Sequence, residues 1–259
     1  MKPPLLSRSK SVTSSIQNNS SLHRLTSMKT IGLIGGMSWE SSAEYYRLAN
    51  LLVKERLGGH TNAKSLMLTV NFAEIEALQR EQDWARMATE MQSAARQLEA
   101  GGADCVVLCT NTMHKVADEI QASVSIPLLH IADATAKAVK AMGMATVGLL
   151  GTRFTMEDGF YHRYVQTKHA LQIKTPNSDE RALIHKVIYD ELCQGLLREE
   201  TKAKFRRIMQ RLVQEGAEGI ILGCTELGLL LKQGDAPVPL FDSTRLHVRA
   251  AVDYVTADC

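Results

Sequence analysis

Several absences narrow what this 259-residue chain can be. No apolar run approaches the length of a bilayer span, so no membrane-crossing segment is expected. The five cysteines, Cys105, Cys109, Cys193, Cys224 and Cys259, are odd in number and lack framework spacing, which favours free thiols in a reducing cytoplasm. The net charge is only +2 with both signs interspersed, leaving no basic stripe for nucleic acid or an anionic membrane; the expected partner is a small molecule. Neither GxxxxGKS nor GxxxxGKT occurs, and Gly32, Gly35 and Gly36 do not fit the dinucleotide fingerprint, so no nucleotide is expected. His114 and His130 fall near strand ends without acidic or thiol partners at ligand spacing, which argues against a metal site.

What is present begins with a leader. Residues 1–27 are rich in serine, carry Lys2, Arg8, Lys10 and Arg24, and contain no acidic residue. Without hydrophobic periodicity they are expected to be disordered. An organelle transit peptide has this bias too, but an upstream start codon explains it more simply, because Met28 leads straight into the first convincing strand.

The rest of the chain repeats itself. TIGLIGGM (30–37) returns as TVGLLGTR (146–153), GADCVVLCTNT (102–112) as GAEGIILGCTE (216–226), and IPLLHIADAT (126–135) as VPLFDSTRLH (238–247), at offsets of 116, 114 and 112 residues. Between these short apolar runs lie segments of helical period, such as Trp84, Met87, Met91, Ala94 and Leu98, or Tyr46, Ala49, Val53 and Leu57. Strands alternating with helices predict α/β architecture: two pseudo-symmetric, doubly wound parallel-sheet domains over 28–145 and 146–259, with the last helix free to cross back over the first. Ligands sit beyond the carboxyl ends of strands in such sheets, so the site is expected in the cleft between the halves.

Aligning the copies sets Thr110, not Cys109, opposite Cys224. Cys224 leaves a strand near a predicted helix N-terminus, where backbone donors favour a thiolate. Cys109 is one residue out of phase and reads as packing. Thr110 either faces the chemistry or caps the following helix. The turns GLIGGMSWES and GLLGTRFTME offer backbone donors to an anion such as an amino acid carboxylate. Asn111, Thr112 and Thr225 add neutral donors, and Gln79, Arg80 and Arg153 are candidates to receive a side-chain carboxylate.

These motifs, GLIGGMSWES, CTNTMHK and GCTELGLLL, resemble the cofactor-independent aspartate/glutamate racemase family over essentially all of 28–259, and most of all its enterobacterial branch. The resemblance implies two bases on opposite faces of the substrate α-carbon, with Cys224 taking the proton of the L enantiomer. It also implies that Met37, Gln79, Asn111, Thr112, Thr225 and Glu226 hold the substrate, that the protein is a cytoplasmic homodimer, and that no cofactor is needed. One departure stands out: the family's first cysteine is Thr110 here, and a hydroxyl is a far poorer base than a thiol. The expectation is therefore an asymmetric racemase of acidic amino acids, with Thr110, or a water it holds, reprotonating the far face and with slow turnover from the D side. Two alternatives remain: a single-cysteine decarboxylase of a substituted malonate, and a degenerate racemase that only binds an amino acid.

Overall fold

The computed structural model describes residues 28–259, so the expectation for the leader lies outside the described residues. β1 (Ile31–Gly35) is the central strand of a three-stranded parallel sheet in the order β2–β1–β3, with β2 (Ser65–Thr69) and β3 (Cys105–Leu108) beside it. A lone parallel bridge between Val106 and Leu128 marks a vestigial fourth position. The second sheet has the same order with that position filled: β5 (Gln172–Lys174), β4 (Thr146–Gly151), β6 (Gly219–Gly223) and β7 (Leu240–Asp242), all parallel. Ile34 pairs with Leu108, and Leu150 with Leu222. Two residues beyond each of those pairs come Thr110 and Cys224, so the strand register makes them structural equivalents.

Both faces of each sheet are covered, which is why the strands read as unbroken apolar runs rather than alternating ones. On the first sheet Ile34, Val106 and Leu108 pack against α2 (Phe72–Glu81) and α3 (Trp84–Ala100), whose Met87, Met91, Ala94 and Leu98 form the anticipated stripe. The opposite face, with Ile31, Leu33, Cys105, Val107 and Cys109, meets α1 (Trp39–Leu57). In α1 the buried face differs from expectation: Tyr45, Leu48, Ala49 and Val53 point inward, while Tyr46 is 53% exposed. Tyr45 goes inward because its hydroxyl finds a buried partner in His247 Nδ1 at 2.9 Å, which satisfies the polar tip of an otherwise apolar ring.

The remaining helices follow the same logic, with one exchange. α4 (Ala117–Gln121) closes the first half beside α3; α6 (Arg153–Glu157), α7 (Phe160–His169), α8 (Ser178–Asp190) and α9 (Glu199–Gln214) cover the second sheet; α10 (Leu227–Leu230) follows β6. α5 (Ile131–Ala141) comes from the first half of the chain, yet Ala132, Ala136 and Val139 pack under Val147 and Leu149 of the second sheet. Conversely Val248, Ala251, Val252 and Val255 of the last helix, α11 (Ser243–Val255), pack on Ile31, Leu33 and Val107 of the first. The halves are thus laced together by a reciprocal pair of helices. Burying such aliphatic side chains is worth about 1.5–3 kcal/mol each, so separating the halves completely would carry a large penalty. Among the described residues no helix is long and apolar enough to cross a membrane.

Candidate active site

The carboxyl ends of β1, β3, β4 and β6 converge on one small cavity of about 40 Å³ between the halves. Eight of the residues that the sequence singled out line it: Met37, Gln79, Thr110, Asn111 and Thr112 from one half, Cys224, Thr225 and Glu226 from the other. A space of that size holds a few water molecules at most.

Tight turns bring the walls together. After β1 the chain turns at Gly36 with φ of 93°, and a Cβ there would stand 2.1 Å from the carbonyl oxygen of Val70, so only glycine fits. The Gly36 N–H donates to Ser42 Oγ at 2.8 Å, so that donor of the turn is already occupied and is not free for an anion. Ser38 caps α1, and its hydroxyl donates to Glu226 Oε1 at 2.7 Å across the cleft. Ser41 Oγ donates to the Cys109 carbonyl at 2.8 Å and lies 2.7 Å from Thr225 Oγ1. With its single proton already placed, Ser41 must accept from Thr225, so the Thr225 hydroxyl proton is spent inside the protein.

Cys224 donates to Glu226 Oε2 at 3.0 Å. The expected helix-terminus stabilisation of a thiolate does not materialise. α10 has only four residues, and burial, followed by the Glu226 carboxylate and Cys193, drives the Cys224 thiol well above the usual range. The group at rest is a thiol held by a carboxylate.

Thr110 has a different setting. It has no ionisable group bonded to its side chain among the described contacts; instead its carbonyl oxygen lies 2.9 Å from His114 Nδ1. The other ring nitrogen, Nε2, accepts the Ile131 N–H at 3.1 Å, which fixes the proton on Nδ1 and makes His114 a neutral brace between the Thr110 loop and the start of α5. Burial and the neighbouring His130 and His247 push its pKa well below the ordinary value. Cys109 is fully buried behind the strand, and burial drives its thiol pKa upward. Asn111 donates through Nδ2 to Ser243 Oγ at 3.1 Å, while its buried Oδ1 has no partner. Thr112 Oγ1 meets Thr152 Oγ1 at 3.1 Å, another tie across the cleft.

The structure leaves some candidates outside and adds others. Arg80 is 72% exposed and pairs with Glu76, and Arg153 is exposed, so neither guanidinium lines the cavity. His130 caps α5 and stacks on Tyr164 at 3.7 Å between ring centroids. Phe72, Thr152, Ile188, Tyr189 and Cys193 also line the cavity and were not anticipated. Thr152 had a signal, since it is the repeat twin of Gly36; Tyr189 and Cys193 lie in and after α8, which follows β5 as α2 follows β2 but falls outside the three repeated sequence blocks. Among the described residues no group of three or more His, Cys, Asp or Glu side chains is arranged to hold a metal ion.

With this geometry in place, comparison with known proteins is informative. The family model for Asp/Glu/hydantoin racemases matches residues 34–251. A Yersinia pestis crystal structure assigned to the Asp/Glu racemases is 49% identical, with a TM-score of 0.83 over 88% of this chain and 99% of that one. An aspartate racemase homologue from Pyrococcus horikoshii is 35% identical, with a TM-score of 0.78 over 88% of this chain and 100% of its own. The broad specificity amino-acid racemase RacX of Bacillus subtilis is 25% identical over 178 residues, 66% of this chain and 73% of that protein. Two like sheets, a cleft at their carboxyl ends and a match spanning both halves place the chain in the Asp/Glu/hydantoin racemase family, among the isomerases.

Proposed function

We propose that this enzyme racemises an α-amino acid without a cofactor, using Cys224 as base toward the L enantiomer and Thr110, or a water it holds, as proton donor on the opposite face. The observation carrying the proposal is the pairing of equivalents: the same strand-end position holds a thiol bonded to a buried carboxylate in one half and a neutral hydroxyl in the other.

Cys224 and Glu226 share one proton and one negative charge. Passing the thiol proton to Glu226 Oε2 creates a thiolate without bringing a second charge into the cavity. Ser38 remains on Oε1 to hold the carboxyl group in place. The substrate ammonium offsets that charge, and the unpartnered Asn111 Oδ1 is suited to accept from it. The thiolate then takes the α-proton, forming an S–H bond and leaving the electron pair on the α-carbon and carboxylate; a proton delivered from the Thr110 side completes inversion, after which Glu226 releases its extra proton to solvent and Thr110, or its water, regains one. Aspartate and glutamate, the substrates named by the family, are the first to test, while the RacX name extends the range to amino acids in general.

Enantiomers have equal free energy, so kcat/KM must match in the two directions. A poor base on the Thr110 side therefore requires slow D turnover with correspondingly low KM. Proton NMR in D2O tests this directly: L substrate loses its α-proton and D product appears. Equal kcat from both enantiomers would sink the asymmetric assignment.

A further inference from the structure

We infer that the side-chain end of this cavity selects a neutral polar group, a carboxamide or a hydroxyl, over a carboxylate, with Gln79 and Tyr189 as the discriminating pair; this rests on the racemase reading of the same site. Gln79 is 5% exposed, yet its hydrogen bonds are poor. Nε2 points at the sulfur of Met113, 3.9 Å away, and Oε1 lies 3.5 Å from the Tyr189 hydroxyl. Both contacts exceed normal hydrogen-bond lengths, so a buried amide faces the cavity with donor and acceptor capacity to spare. Tyr189 stays a neutral phenol, its pKa pushed upward by burial and by Cys224 and Cys193 beside it.

A carboxylate would find no partner of opposite sign here. Among the described residues no lysine or arginine lines the cavity, and the one carboxylate in its lining, Glu226, is already buried there. Of the cations nearby, Arg80 pairs with Glu76, Lys115 pairs with Asp158 at 2.7 Å and lies over the Trp84 ring at 3.6 Å, and Arg153 is exposed and outside the lining. A side-chain carboxylate must then either sit unpaired near a like charge or take up a proton, which at neutral pH costs on the order of 10²–10³-fold in occupancy. A carboxamide or hydroxyl brings both a donor and an acceptor, matching Gln79 Oε1 and Nε2 at no electrostatic cost.

The test compares near-isosteres on the wild-type enzyme: L-glutamine against L-glutamate, L-asparagine against L-aspartate, and L-homoserine, each followed by α-proton exchange in D2O. The neutral member of each pair is expected to have kcat/KM about tenfold or more above the acid, as expected when a site built to hydrogen-bond one head group meets another. Gln79→Met, close in volume and without the amide, should erase that ratio mainly through KM. An acid exchanging as well as or better than its amide overturns the inference while leaving the racemase reading intact. If no amino acid exchanges, the racemase reading fails, and calorimetric binding to Cys224→Ser then decides the preference alone: tighter binding of the amides supports it, equal or tighter binding of the acids overturns it.

Discussion

The two strand-end loops are copies of one another that have been furnished differently. In the second half, Gly223, Cys224, Thr225 and Glu226 place a titratable thiol on a titratable carboxylate, anchored by Ser38 from across the cleft. In the first half, Cys109, Thr110, Asn111 and Thr112 supply hydroxyls and an amide, and the one titratable group in contact, His114, is held neutral and used as a brace. Equivalent backbone positions therefore do not imply equivalent chemistry. In the mechanism proposed above the second loop generates the base and the first only donates, which would make a symmetric fold a directional catalyst.

Substituting the twins separately is the sharpest way to break that comparison, and it carries the largest effect. Cys224→Ser should lower α-proton exchange from the L substrate by about 10²–10⁴-fold, the usual contribution of a positioned base. Thr110→Ala should leave L exchange largely in place and reduce D product about tenfold. Thr110→Cys adds a second thiol, and the kcat from the D side should rise toward that from the L side. Equal losses from Cys224→Ser and Thr110→Ala, read by NMR in both directions, would mean the two loops act alike.

Stability gives the next largest effect, and it isolates the first loop's brace. In the folded protein burial lowers the pKa of His114 well below its ordinary value, of His130 to about 3 and of His247 to about 4. In the unfolded chain each titrates near 6.5. The unfolded state therefore binds more protons below that pH, and stability falls as pH drops from about 6.5 toward 4, by about 1.4 kcal/mol per pH unit for each histidine once well below 6.5. Urea midpoints between pH 7 and 5 should decline, and the decline should be shallower in His247→Gln. An unchanged slope would remove the cluster from the account.

Much of this was visible in the primary structure because repetition supplied an internal alignment. Three blocks at near-constant offset located β1, β3, β4, β6 and β7 but not β2 or β5, and the GADCVVLCTNT and GAEGIILGCTE copies alone assigned Thr110 to Cys224. Periodicity missed what depends on distant partners. Tyr45 rather than Tyr46 turns inward because His247 lies 202 residues away to receive it. The sequence allows for the return of the last helix, α11, over the first half, but the passage of α5 to the second sheet leaves no local trace, since an apolar stripe does not say which sheet it covers. Arg80 and Arg153 looked suited to a carboxylate by type, but their side chains leave their elements on solvent-facing sides. The thiolate expected of Cys224 yielded first to burial and then to Glu226 pointing back from two residues on, neither of which the local motif reveals.

The carboxylate in the second loop sharpens the comparison through pH. Glu226 raises the Cys224 pKa, so Glu226→Gln should move the rising limb of the pH–rate profile to lower pH. At the same time its plateau should drop about tenfold, because the thiol proton loses its acceptor. A limb that stays in place would show that Glu226 does not sense the thiol.

The smallest effect concerns the tie between the loops. Ser41 donates to the Cys109 carbonyl in one loop and accepts from Thr225 in the other, so a single hydroxyl registers both strand ends. Ser41→Ala strands two buried groups and should cost about 1–3 kcal/mol of stability. It also frees the Thr225 hydroxyl to donate to a bound carboxylate, so KM should fall or hold steady while kcat drops, as the loops lose their relative placement. If instead KM rises and kcat is untouched, Ser41 serves only binding, and the loops keep their register without it.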